Sequence, residues 1–432
     1  MVSPHFLLAL SSALTLVPAR PLSAPAPLPP SEDPWYTAPE GYEDAAPGTI
    51  LRIRPAADSL VTAIGANVSS IYNILYATTD SFDKPSFAVT TLLIPSKPAG
   101  KNGTRLLSYQ IPYNTVNLDY SPSYALETQF ASAFSDIGPA LGRGWFVNIP
   151  DFEGPKASFS VSVEAAHATL DSLRAVLAAG QGLQPGSHTR IALWGYSGGS
   201  IPSEFAAEIA QLYAPEINLS GTAIGGLVAN MTHALEVTNA KSYAGLAPLV
   251  TLGLATRYPE VQSYLDKNLK PSGRYNATMF NSAAQMATFD AFGAFVNQSI
   301  GDYFMTGNEW LYATDLEAAV KRNWQMGKFV FAPTAPMYVY KAIHDELSPV
   351  EDTDVVIQKY CDNGANILYE RNTVGTHQDE YVRGNARAWA WLVSVLDESY
   401  EEVYDSAGCT IRDVTIDGAT TPGGSMMAGV PF

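Results

Sequence analysis

Cysteine is nearly absent from this 432-residue chain, which has only Cys361 and Cys409. Two sulfurs without a nearby histidine pair exclude the usual zinc patterns, and no metal or other cofactor is implied. Basic residues are also scarce. There are 25 Lys and Arg against 42 Asp and Glu, a formal net charge of -17. A carboxylate surplus of that size repels phosphate, which argues against nonspecific binding to nucleic acid or anionic membranes. The acidic runs "GYEDAAPG" and "LDESYEEVYD" read as solvated faces rather than metal sites. Beyond the first residues no apolar run is long enough to read as a membrane-spanning helix.

What is there begins with "FLLALSSALTLV", too short to span a bilayer with ease and followed by small residues. It reads as an export signal over residues 1–19, with cleavage after Ala19 or as late as Ala24. Residues 20–34 are rich in Pro and Ala and read as an extended leader with no core of its own. Six N-x-S/T sequons, at Asn67, Asn102, Asn218, Asn230, Asn276 and Asn297, agree with a secreted, extracellular protein. In that compartment an even pair of cysteines points to a Cys361–Cys409 disulfide.

"SIYNILYATTD" and "SFAVTTLLIPS" flank the polar turn "SFDKP" and predict an antiparallel hairpin. "TRLLSYQIPY" and "GWFVNIPDF" predict two further strands, with helical stretches between them. "SVEAAHATLDSLRAVLAAG" has the spacing of an amphipathic helix, and Gly180 can end it. Strand-like "RIALWGY", "LSGTAIGGLVAN", "PMYVYKAIHDE" and "ANILYERN" then alternate with helices or loops. This order predicts an α/β fold with a mostly parallel sheet covered on both faces. Residues 231–335 interrupt it with an apolar, helical pattern and read as an inserted cap. The core is then 35–230 plus 336–432.

The chemistry centres on "GYSGG". G-x-S-x-G is common by chance and gains meaning only between a buried strand and a helix, which is its setting here. The turn must be sharp, so Ser197 is expected in a strained backbone conformation, with Gly195 and Gly199 leaving room. A serine hydroxyl needs a base, and the base needs a carboxylate, in the chain order Ser, acid, His. Three histidines follow Ser197. His233 comes too early, and His344 adjoins the expected acid position. His377, in the loop "TVGTHQDE", is the expected base. His167 lies inside a helix and reads as an ordinary packed or surface residue. Asp345, just past the strand "YVYKAIH", is the expected acid. Glu346 is its main rival, and Asp352 and Asp354 lie further into the loop. One oxyanion donor is expected at the Gly198 amide, and a second near Asn114 or Thr115.

These residues carry a resemblance. "SYQIPY…SPSY", "IPDFEGP", "ALWGYSGGS", "APMYVYKAIHDELSP" and "YCDNGANILYERNTVGTHQDE", with Cys409, together resemble the fungal secretory lipases, the group that includes the A lipase of Candida antarctica. The resemblance implies an α/β-hydrolase fold with a helical lid, ester hydrolysis, and a Ser197–Asp345–His377 triad. It also implies the Cys361–Cys409 bridge. The chain departs from the family pattern in having Tyr120 where a cysteine is common, Asn114 and Thr115 where an acid is usual, and Thr376 before the histidine. Three activities follow as expectations. The first is a lipase or esterase acting on acylglycerols, with a lipid–water interface as its setting. The second is a deacetylase of secondary metabolites such as trichothecenes, and the third a hydrolase-fold binding protein without catalysis. No protein partner is implied.

Overall fold

A computed structural model describes residues 27–99, 103–184, 186–329 and 333–418. The signal segment and Asn102 lie outside them. Among the described residues ten strands form one sheet: β1 (Ile50–Pro55), β2 (Val68–Thr79), β3 (Pro85–Pro95), β4 (Thr104–Gln110), β5 (Phe146–Pro150), β6 (Thr189–Tyr196), β7 (Leu219–Gly225), β8 (Met337–Ala342), β9 (Ile367–Asn372) and β10 (Cys409–Val414). Their order is β1-β2-β3-β5-β4-β6-β7-β8-β9-β10. β1, β2, β3 and β5 are joined by antiparallel pairing, and from β5 to β10 every pairing is parallel. The fold is that of an α/β hydrolase. Local pattern does not announce β1 and β10, because both are edge strands whose residues are half-buried or exposed and so lack a buried apolar run.

The parallel strands are covered on both faces, which is why β6 reads as the continuous apolar run Ile191–Trp194, all buried. On one face lie the helices Ser162–Ala178, Ser200–Tyr213 and Val350–Asp362, the last tied in by Tyr360, whose hydroxyl bonds to Glu204. On the other lie Phe134–Gly142 and the 20-residue helix His377–Leu396, brought together where Tyr381 and Asn385 donate to Asp136. Cys361 and Cys409 form a disulfide that links the helix Val350–Asp362 to edge strand β10.

Between β7 and β8 the chain leaves the sheet and makes the helices Met231–Thr238, Leu246–Ala255, Pro259–Asn268, Ala277–Ser282, Thr288–Phe295 and Thr314–Asn323. An isolated bridge between Asn230 and Gln325 closes this insertion at its base. Side chains fasten it to the sheet domain. Arg257 pairs with the buried Glu164, and Ser160 Oγ donates to the Val250 carbonyl at 3.0 Å.

The proline-rich segment is less detached than its composition suggests. Pro30 is buried, Ser31 donates to Asp119 from both its amide and its hydroxyl, and Asp33 pairs with Arg54. Short polar side chains near a segment's end can find partners that composition does not reveal. Among the sequons, Asn67, Asn218 and Asn297 are exposed. Asn230 and Asn276 are half-buried and cap helices through their side-chain oxygens. The carboxylates of both acidic runs are exposed.

Candidate active site

The parallel register brings Gln110, Gly195, Tyr196, Gly225, Ala342 and Asn372 to one edge of the sheet. Ligands in such sheets bind beyond the carboxyl ends of the strands. The residues just past these ends are Asn114, Ser197, Leu227, Asp345 and His377.

Ser197 follows β6 directly and has φ of 51°. A left-handed backbone at a non-glycine residue costs on the order of 1–3 kcal/mol, so the surroundings must hold it. They do so through close approach. A Cβ at Gly195 would strike the Gly199 carbonyl and Ser203, and one at Gly199 would strike the Gln110 carbonyl of β4. The helix Ser200–Tyr213 then starts behind the serine, and Pro202 sits in its first turn, where no N–H is needed.

His377 Nε2 lies 2.9 Å from Ser197 Oγ, and His377 Nδ1 lies 2.7 Å from Asp345 Oδ2. Asp345 Oδ1 accepts from the amides of Leu347 and Ser348, at 3.0 and 2.8 Å. Burial opposes ionisation of this carboxyl, but His377, Lys341 and the backbone bonds outweigh it and hold it well below the usual carboxylate range. The carboxylate is therefore an acceptor at any ordinary pH.

One expectation needs correction. His377 is not in a loop but is the first residue of the helix His377–Leu396. Thr376 caps that helix, and Thr376 and Asp379 form a reciprocal capping box. The T-x-x-D spacing in "THQD" is the signal that locates this start. The ring is held by its own backbone as well. The His377 amide donates to Glu346 Oε2 at 2.9 Å, and the Tyr196 hydroxyl donates to the His377 carbonyl at 2.5 Å. Glu346, the rival acid, thus meets the histidine's backbone and not its ring.

The more distant acids are engaged away from the imidazole. Asp352 bonds His233 Nδ1 at 2.7 Å, and Asp354 pairs with Arg371. His344 is exposed. His167 stacks on Tyr213 and bonds the Thr79 carbonyl, and burial lowers its pKa, as suits a packed neutral ring.

The two residues expected near the second oxyanion donor differ. Asn114, at φ of 41°, lines the cavity over Ser197, and its buried Oδ1 has no hydrogen-bond partner. Its side chain presses on Gly198 so closely that a Cβ there would overlap it. Thr115 does not line the cavity. Its hydroxyl donates to the Met286 carbonyl, and its backbone faces Glu153, a carboxyl that burial pushes well above its usual range. Thr288 of the insertion donates to the carbonyls of Tyr113 and Asn114, so the insertion itself braces this loop.

The cavity measures about 140 Å³. The insertion contributes Met231, Leu246, Phe289 and Phe292 to its wall, and the sheet domain contributes Phe159 and Ile201. Tyr109 and Tyr381 form a more polar stretch, and both hydroxyls donate to Asp136 Oδ2, at 2.5 and 2.7 Å. Sequence reasoning missed Tyr196, Lys341 and Asp136, which sit in ordinary strand or helix patterns and acquire roles only through partners distant in sequence.

A family model described as secretory lipase matches residues 120–401. The trichothecene C-3 esterase of Fusarium sporotrichioides is 42% identical, over 96% of this chain and 94% of that protein. Lipase A of Arthroderma benhamiae is 37% identical, over 87% of this chain and 82% of its own length. The closed state of Candida antarctica lipase A superposes with a TM-score of 0.80 at 25% identity, covering 92% of each chain.

Proposed function

The chain belongs to the secretory lipase family and is a carboxylic-ester hydrolase, and from that premise we propose that Ser197, His377 and Asp345 are its catalytic triad. The observation that carries this reading is the unbroken relay of 2.9 and 2.7 Å contacts from Ser197 Oγ through His377 to Asp345. Ser197 Oγ attacks the ester carbonyl carbon while His377 Nε2 takes its proton. Asp345 holds the ring tautomer and stabilises the imidazolium. The developing oxyanion is met by the Gly198 amide and by a second backbone amide at Asn114, whose side chain lies against Gly198. His377 then gives its proton to the leaving alcohol. Water, deprotonated by His377, attacks the acyl-enzyme and releases the acid.

Family membership implies secretion, and residues 1–19 are the export signal on this reading. Among the described residues no helix is long and apolar enough to cross a membrane.

On this reading the substrate is an ester of a small acyl group on a cyclic alcohol, favoured because the relative named trichothecene C-3 esterase aligns at higher identity and over more of the chain than the lipase does. Acylglycerol hydrolysis is the second reading. It is favoured by the apolar side chains that the insertion brings to the cavity.

Hydrolysis of p-nitrophenyl butyrate by the parent and by Ser197→Ala tests the triad. Loss of all but background rate, together with loss of fluorophosphonate labelling, is expected. Unchanged turnover in the variant rejects the assignment and leaves the non-catalytic reading. A panel of an acetylated cyclic alcohol, tributyrin and a long-chain triglyceride orders the two substrate readings.

A further inference from the structure

Lys341 sits in β8 in the run "YVYKAI", where a lysine among apolar residues would ordinarily face water. β8 is paired on both edges, with β7 and with β9. The Lys341 side chain has no exposed surface, and neither does that of Asp345. An ammonium in such a place is tolerated only if its charge is paired and every N–H has an acceptor. Lys341 Nζ meets both conditions. It lies 3.0 Å from Asp345 Oδ2, 2.9 Å from the Leu227 carbonyl and 3.3 Å from Ser348 Oγ. Three donors therefore have three acceptors.

Asp345 Oδ2 is thus shared. His377 Nδ1 approaches it from the helix His377–Leu396, and Lys341 Nζ approaches from β8. The remaining ionisable groups around the pair are Glu346 on the same loop, Tyr243 from the insertion, which bonds Glu346, Tyr196 at the end of β6, and Tyr369 from β9. Among these groups Lys341 is the cationic side chain that shares Oδ2 with His377.

We propose that Lys341 is a positioning residue for the triad: it fixes Asp345 and, by half-neutralising the shared carboxylate, keeps His377 free as a base in acidic solution. This rests on the triad assignment above. A second positive charge on the other side of Oδ2 is less welcome when Lys341 is already there. Protonation of His377 by solvent is opposed, so the base is available at lower pH. The same effect takes some stabilisation from the imidazolium formed during attack. The arrangement thus exchanges rate at neutral pH for rate in acid. Lys341 also ties the Leu227 turn after β7 to the loop that carries the acid.

The test is the pH profile of kcat/KM for p-nitrophenyl butyrate, from about pH 4 to about pH 9, in the parent, Lys341→Met and Lys341→Gln. Thermal unfolding of each variant is followed alongside. The acid limb is expected to move upward by about half a unit to one unit in both variants, because both remove the charge. Lys341→Gln keeps a donor and is expected to recover part of any rate lost at pH 8 in Lys341→Met, but not the limb. The rate of Ser197 labelling by a fluorophosphonate should shift with pH in the same way. An unmoved acid limb in a folded variant overturns the proposal. So does recovery of the limb by glutamine, or failure of both variants to fold, each of which reduces Lys341 to a structural ion pair. Ser197→Ala measured in parallel separates the two readings, since a fully active Ser197→Ala removes the triad itself.

Discussion

The hydroxyl of Tyr196 donates to the backbone carbonyl of His377 at 2.5 Å, and its ring lies 5.3 Å from the imidazole. The residue before Ser197 therefore grips the residue whose imidazole meets Ser197. The strand end and the helix start are located relative to each other by one buried bond, in addition to the Ser197–His377 contact itself.

Tyr196→Phe removes that bond and keeps the ring. A buried hydrogen bond contributes on the order of 1 kcal/mol, and more when a carbonyl is left unpaired. Urea unfolding should report a loss of about 1–2 kcal/mol. kcat should fall several-fold while KM for p-nitrophenyl butyrate stays near the parent value. A variant as active as the parent would show that the other contacts of His377 suffice.

Asn114→Ala tests the support of the oxyanion site: it keeps the backbone amide and removes the side chain that lies against Gly198, so kcat should fall by about tenfold with little change in KM, less than the roughly 10²–10³ typical of losing a donor outright. Thr115→Ala should lower kcat much less, because its hydroxyl bonds the Met286 carbonyl of the insertion and not the cavity. Equal effects from the two substitutions would refute the distinction drawn between them.

Stability should rise as the solution is acidified from neutral to mildly acidic pH. Burial raises the Asp151 carboxyl to about 7, against the lowering effect of its bonds from Ser123. A carboxyl whose pKa is higher in the folded than in the unfolded state stabilises the fold below the unfolded value, near 3.8. That contribution is lost as the pH climbs through the folded value. The net charge of -17 adds self-repulsion in the same direction. Melting temperature measured across this range should therefore decline toward pH 8, and Asp151→Asn should flatten the decline. Asp345 acts oppositely, since its depressed pKa means that its contribution disappears only as the pH falls below the ordinary carboxylate range.

Replacing both Cys361 and Cys409 by alanine releases a loop spanning 48 residues. Chain entropy alone puts the loss at about 4 kcal/mol, and measured losses commonly run from about 2. The expected result is a lower denaturation midpoint with esterase activity retained at 25 °C, since the bridge joins a helix to edge strand β10 and not to Ser197, Asp345 or His377. Amide exchange should quicken first in β10.

Much of this molecule could be read from short stretches. The hairpin of β2 and β3, the helix Ser162–Ala178 and the strand–serine–helix turn rest on interactions within about thirty residues, so local pattern carries them. Ser197 was legible because a tight turn demands small neighbours at fixed offsets. Asp345 and His377 were legible because the topology imposes their order. The His377 helix start is expected as a loop from the sequence, although Thr376 and Asp379 carry the capping signal that marks it.

The sequence by itself thus determined the class of fold and singled out Ser197 with Asp345 and His377 after it as the proposed triad, because a tight turn and a chain order are legible over a few residues. Only the tertiary structure decided that Asp345 rather than Glu346 meets the imidazole ring. The two are adjacent in the chain, and which one points inward depends on the amides of Leu347 and Ser348 and on a lysine four residues earlier. It alone also decided that Lys341 is buried. Its acceptors at Leu227 and Asp345 lie on different segments, and they converge only when β7 and β8 pair across the 111 residues that separate the end of one from the start of the other.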